Sequence, residues 1–271
     1  MGIDLLLAAS GLAAGLFGAL LGLGGGILIV PLLNLAFGYP LTTAVGVSLI
    51  CVIATSTGAA AHNVRTGRAD VRLGLLLEGG TVIGAVVGGI LAGLVSERLL
   101  AGLFALLMGY TAISMGRRTL LPQTDTGAGR EAVDPSAPDG PTAPAYRSHR
   151  RPLALAGAFF AGNVSGLLGV GGGVVKVPLV HLVMGAPLHV AVATSNFIIG
   201  VTAAAGAYAY LFRGDIDPGV AGPVVLGVAA GAFLGARVGA RLHARWLAVL
   251  FLLVVIYVGV QMALRALGGP A

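Results

Sequence analysis

The sequence predicts an all-α, polytopic membrane protein made of two pseudo-symmetric repeats, each with a broken or re-entrant helix after a glycine-rich motif. Three observations predict it. Of the 271 residues, 57% are hydrophobic and only 10% charged, against about 25% charged in a soluble domain. The apolar residues fall in long runs near the ~20 residues that cross hydrocarbon as a helix. Those runs repeat at one offset, and internal duplication is common in secondary transporters.

The first group of apolar runs covers roughly 3–21, 27–37, 41–61, 73–94 and 98–115. The second covers roughly 152–168, 174–184, 188–211, 218–240 and 246–264. The second run of each group is short and follows glycines, which marks a broken or re-entrant helix and not a full span. The N-terminal run lacks a basic leader and a cleavage site, and it belongs to the repeat, so it reads as a retained span. Residues 117–151 contain Pro122, Pro135, Pro138, Pro141 and Pro144 among Asp, Ser, Thr and Gly. That composition builds no core and reads as a solvated linker. The organisation is therefore repeat 1 over 1–116, the linker over 117–151 and repeat 2 over 152–271.

Shifting the chain by 147 residues aligns the halves without a gap. Gly22, Gly24, Gly25 and Gly26 fall on Gly169, Gly171, Gly172 and Gly173; Pro31 falls on Pro178, Ser48 on Ser195 and Asp70 on Asp217. Gly84 and Gly88 fall on Gly231 and Gly235. An odd number of crossings per repeat would collect Arg65, Arg68, Arg72, the linker arginines and Arg237, Arg241 and Arg245 on one side. Arg98, Arg213 and Arg265 would be left on the other. The positive-inside rule therefore favours inverted repeats, with the linker cytoplasmic and the protein in the cell membrane. The net charge of +6 then faces anionic lipid and gives no reason to expect nucleic acid. Cys51 is the single cysteine, so no intrachain disulfide and no Cys-based metal cluster can form. No His, Asp and Glu cluster has metal spacing, and no cofactor is expected.

The candidate site begins with the duplicated glycines. Gly24, Gly25 and Gly26, and their equivalents Gly171, Gly172 and Gly173, free the backbone from helical dihedrals. A helix starting just after them could make an anion cradle, while close helix packing is the plainer use of glycine in membranes. Lys176, the only lysine, lies beside the second motif where the first repeat has Ile29. A cation inside a bilayer usually faces a cavity or partner, and snorkelling to the interface is its other use. Ser48, Ser195, Thr194 and Asn196 could bond anion oxygens or, equally, helix carbonyls. Glu78 is the acidic candidate for proton coupling, although a shallow position beside Arg72 or Arg68 is favoured. His181 could gate or titrate with substrate, and an interfacial place is the commoner one. Asp70 and Asp217 precede apolar runs as helix caps.

The duplicated Gly-rich motif with its proline resembles the sulfite exporter TauE/SafE family of membrane permeases. Val45-Gly46-Val47-Ser48-Leu49 and Ala193-Thr194-Ser195-Asn196-Phe197 are similar to that family's second repeated motif, with Val47 where threonine is usual. Gly67 to Asp70 and Gly214 to Asp217 are the third matching feature. The resemblance implies transport of small anions, especially sulfite, organosulfonates and related sulfur compounds. A carrier for a small anion, working by alternating access at the repeat interface, is therefore expected. A channel is the alternative, as is a permease for another small solute. An enzyme is not expected, because the apolar runs hold too few titratable groups. The oligomeric state stays open, a homodimer included.

Overall fold

The structure is a computed structural model of the full chain and describes residues 2–21, 25–65, 70–120, 151–185, 188–238 and 244–268. Gly22 and Gly24, linker positions 121–150 and loop arginines such as Arg68 and Arg241 lie outside the described residues. Ten α-helices form, and no strand occurs among the described residues.

The first half contains α1 (Gly2–Leu21), α2 (Gly26–Pro31), α3 (Leu41–Arg65), α4 (Val71–Leu94) and α5 (Glu97–Leu120). The second contains α6 (Arg151–Leu168), α7 (Gly173–Pro178), α8 (Leu188–Phe212), α9 (Pro218–Val238) and α10 (Ala244–Ala266). Helix α5 carries helical backbone through residues 117–120. Among the described residues, five helices are long and apolar enough to cross a membrane: α4, α5, α8, α9 and α10. Shorter apolar helices occupy Gly2–Gly18, Gly26–Ala36, Leu41–Thr57 and Pro152–Leu168.

The short second helix of each half is broken as the sequence predicts. Each ends at a proline, Pro31 or Pro178, and continues as one π-helical turn, Leu32–Ala36 or Leu179–Val183. Proline lacks the N–H and crowds the carbonyl four residues back, so regular α-helix cannot continue unchanged. Starts of equivalent elements match the 147-residue shift, with 26 on 173, 41 on 188, 71 on 218 and 97 on 244.

The halves interlock. Helix α1 packs along α9, α6 along α4, α3 against α8, and α5 against α10. Glycine makes the first two crossings possible. A Cβ on Gly84 would sit 2.1 Å from Phe159 O, and one on Gly231 would sit 2.1 Å from Leu12 O. These are equivalent positions in equivalent crossings, and backbone atoms cannot move aside as side-chain tips can. In membranes, where lipid is as apolar as leucine, such close approach is a main source of helix association. The outward surface is apolar, with Leu106, Phe160 and Phe212 each more than two-thirds exposed, as an acyl-chain environment requires.

The caps follow the sequence. Asp70 Oδ1 accepts from Leu73 N at 3.0 Å at the start of α4, and Asp217 Oδ1 accepts from Gly219 N at 2.8 Å at the start of α9. At the far end of α8, Arg213 pairs with Asp215, donates to Gly89 O and lies over the Tyr210 ring at 4.5 Å.

Candidate functional site: a buried lysine, hydroxyl and carboxylate cluster

The second glycine motif is a sharp turn. Gly169, Gly171 and Gly172 all have positive φ, between 70° and 74°, a region other residues rarely enter. The turn delivers the chain into α7, where the N–H groups of Val175 and Lys176 donate to Gly172 O. In the first motif Gly25 has φ 73° and its carbonyl takes the N–H groups of Leu28 and Ile29.

The two motifs meet at Ser48. This fully buried hydroxyl lies 2.7 Å from Gly169 O and 3.1 Å from Gly26 O. A Cβ on Gly26 would fall 2.7 Å from Gly169 O. Ser48 is thus a clasp between the glycine turns. Its equivalent is different: Ser195 is fully buried, and its hydroxyl has no hydrogen-bond partner among the described residues. Thr194, also buried, accepts from Asp70 N at 2.9 Å and ties α8 to the head of α4. Asn196 is half-buried, one residue further.

Lys176 points inward and is 1% exposed. Its ammonium donates to Thr202 Oγ1 in the middle of α8. Thr202 Oγ1 lies 3.0 Å from Glu78 Oε1, and Thr81 Oγ1 lies 3.2 Å from Glu78 Oε2. One hydroxyl therefore separates a buried cation from a buried carboxylate. Glu78 follows Val71 by seven residues and so sits about 10 Å into α4. It is 8% exposed, whereas Arg72 is exposed on the same helix. The favoured expectation of a shallow Glu78 beside Arg72 is corrected: α4 turns the carboxylate inward, onto α8 and α7. An ammonium has three N–H donors, and Thr202 is the partner found for it among the described residues. Beside its stem, a Cβ on Gly172 would touch Lys176 Cε at 3.5 Å and Ser165 Cβ at 3.2 Å. Ser165 is fully buried, and its hydroxyl too has no partner among the described residues.

His181 lies apart, exposed on the π turn after α7. A cavity of about 470 Å³ between α5, α6 and α7 is lined by apolar residues such as Leu103, Leu106, Phe160 and Pro178. Lys176 and Glu78 do not line it, and in this conformation their cluster is closed to solvent.

Thr81, Ser165 and Thr202 were not singled out from the sequence. A signal for four of the cluster's members was nevertheless there. At the 147-residue offset, Lys176, Glu78, Thr81 and Ser165 correspond to Ile29, Val225, Val228 and Gly18. These are positions where one repeat is polar and the other apolar or bare. Thr202 corresponds to Thr55, and both hydroxyls bond the carbonyl four residues back, Ile198 O and Cys51 O.

A helical membrane bundle with interlocked halves, broken helices and a buried polar cluster has the form of a membrane transporter. The sequence profile of the sulfite exporter TauE/SafE family matches residues 7–262, and the chain belongs to that family. It is 29% identical over 219 residues to "Probable membrane transporter protein YunE" of Bacillus subtilis, covering 76% of this chain and 78% of that protein. It is 27% identical over 210 residues to "Probable membrane transporter protein MJ0441" of Methanocaldococcus jannaschii, covering 74% and 70%. No solved structure matches.

Proposed function

We propose that this membrane transporter is a secondary carrier for a small anion, of the sulfite or organosulfonate class, and that the anion binds at Lys176. The observation that carries this reading is a fully buried ammonium whose one hydrogen-bond partner among the described residues is Thr202, set against Gly172, with Ser165, whose hydroxyl has no partner among the described residues, against the same glycine. A buried cation is costly in a bilayer and marks a substrate or ion path by default. Buried hydroxyls without partners are rare and call for an explanation. Oxyanion oxygens supply acceptors for both. Gly172 keeps a side chain away from the end of the Lys176 stem, Gly171 and Gly173 let the turn close on Val52 and Ile199, and Ser195 and Asn196 extend the polar row along α8. Ser48, Gly25 and Gly26 brace this turn from the first repeat.

Alternating access follows from the closed cluster. The anion reaches Lys176 only if the α4–α6 and α7–α8 packing opens to one side at a time. The two halves run in opposite senses through the cytoplasmic membrane, with residues 117–151 on the cytoplasmic side, where the arginines gather. Energy comes from a gradient, and the chain acts as a carrier and not as an enzyme.

The test is counterflow in proteoliposomes with sulfite, thiosulfate, methanesulfonate and acetate, for the wild type and Lys176→Ala. Saturable exchange of a sulfur oxyanion, lost in the variant, is expected. Flux indifferent to Lys176 would move the site elsewhere. Ohmic current without saturation would make the protein a channel.

A further inference from the structure

We propose that Glu78 is the proton-coupling residue of this carrier, so that each monoanion bound at Lys176 travels with one proton on Glu78. The inference rests on the reading of Lys176 as the anion site.

The chain contains its own control for packing. The crossing of α4 with α6 brings Gly162 against Thr81 O, and the crossing of α9 with α1 brings the equivalent Gly15 against Val228 O. In the first crossing the neighbouring polar positions are Lys176, Glu78 and Thr81. In the second the equivalent positions are Ile29, Val225 and Val228, of which Ile29 and Val228 are completely buried. The same architecture therefore closes with aliphatic side chains. Desolvating a charge pair gains little or nothing over such residues, so packing does not explain the pair.

Charge balance does explain it. The unloaded cluster, one ammonium and one carboxylate, is neutral. A monoanion on the free N–H donors of Lys176 would leave one uncompensated negative charge inside the bilayer, a few ångströms from the Glu78 carboxylate. A proton taken from water onto that carboxylate restores neutrality. No bond other than this O–H forms, and it breaks when the proton leaves on the other side.

The geometry accommodates both states. Thr202 has one hydroxyl hydrogen and three acceptors within reach, Glu78 Oε1 at 3.0 Å, Ile198 O at 3.1 Å and Thr81 Oγ1 at 3.2 Å. With Glu78 ionised the hydrogen points to the carboxylate. With Glu78 protonated it swings to Ile198 O, leaving the Thr202 and Thr81 oxygens to accept from the new O–H. Among the described residues, Lys176 of α7 is the charged group that faces Glu78. Arg72 on α4 is exposed, and the Tyr210 hydroxyl of α8 is bound to Gly166 O at 2.8 Å. Cys51 lies within α3; Arg151 at the start of α6 and His62 and Arg65 at the end of α3 sit at helix ends.

The experiment uses the full chain in proteoliposomes, with radiolabelled methanesulfonate as the probe, since its charge does not change with pH. Counterflow is measured first, then accumulation under a pH gradient and, separately, under a potassium diffusion potential. One-to-one coupling predicts about tenfold accumulation per pH unit and none from the potential. Glu78→Gln is expected to reduce the accumulation ratio to one, whatever its counterflow rate, while Glu78→Asp retains a ratio above one. Purified wild type in weakly buffered detergent is expected to take up about one proton per methanesulfonate bound. Absence of wild-type counterflow for every anion would overturn the anion reading itself. Counterflow without pH-driven accumulation, accumulation that survives Glu78→Gln, or binding without proton uptake would overturn the coupling alone.

Discussion

Removing one member of the Lys176 and Glu78 pair is expected to destabilise the protein strongly, and removing both is expected to restore it. Two hydrogen bonds in series put the charges roughly 5–6 Å apart. At an effective dielectric of about 20, unit charges at that distance attract by about 3 kcal/mol. Lys176→Met leaves a buried carboxylate without its cation, and Glu78→Leu leaves a buried ammonium without its anion. Each is expected to cost about 3–5 kcal/mol. The double variant recreates the aliphatic character of Ile29 and Val225 in the other half, and replacements of this kind are neutral or stabilising by about 1–4 kcal/mol. The cycle should therefore show coupling of several kcal/mol, well beyond the few tenths seen for independent sites. The assay is thermal unfolding in detergent, followed by the fluorescence of Trp246, the single tryptophan. A double variant as unstable as the two single effects added together would refute the reasoning, because it would show that neither charge compensates the other. The double variant is expected to stay folded but inactive, which separates the pair's transport role from the fold.

Other expected outcomes follow from particular contacts. Gly84→Ala and Gly231→Ala push a methyl into a backbone carbonyl and should each cost about 1–3 kcal/mol or more. Gly79→Ala, with nothing within 4 Å, should stabilise α4 by up to about 1 kcal/mol; thermal unfolding reads both. Ser48→Ala strands the carbonyls of Gly26 and Gly169 and should cost about 1–3 kcal/mol. Ser195→Ala and Ser165→Ala break no hydrogen bond found in the structure and should leave unfolding within about 0.5 kcal/mol while weakening the apparent affinity for the transported anion. Asp70→Ala removes the cap of α4 and should lower stability by about 1 kcal/mol, measured by denaturant or heat unfolding.

Much of this protein is legible in its sequence because the bilayer imposes simple rules. Helix count, the breaks at Pro31 and Pro178, the caps at Asp70 and Asp217 and the duplication are all local or periodic features. A run of apolar residues must satisfy its own backbone in lipid, so it becomes a helix wherever it lies in the chain. Burial is harder to read. Lys176 and Glu78 were each visible as ionisable residues inside apolar runs. Yet Glu78, two turns from Arg72, has the sequence signature of a shallow surface residue as much as that of a buried one. Thr202 was passed over because threonine in a membrane helix usually bonds its own helix, and it does so here at Ile198 O as well.

By itself, then, the sequence determined the class of protein, the helical segments, the twofold repeat and a short set of polar candidates, since those depend on composition and spacing. Only the tertiary structure decided how the candidates divide. Ser48 and Thr194 hold the backbone together, His181 faces outward, and Lys176, Thr202, Glu78 and Thr81 converge from α7, α8 and α4. The physical reason is that each of these helices is apolar nearly all round, so no periodicity marks the side that will face its neighbours. That side is chosen by glycine-lined crossings such as Gly162 against Thr81 and Gly84 against Phe159. Their partners lie 81 and 75 residues apart in the chain.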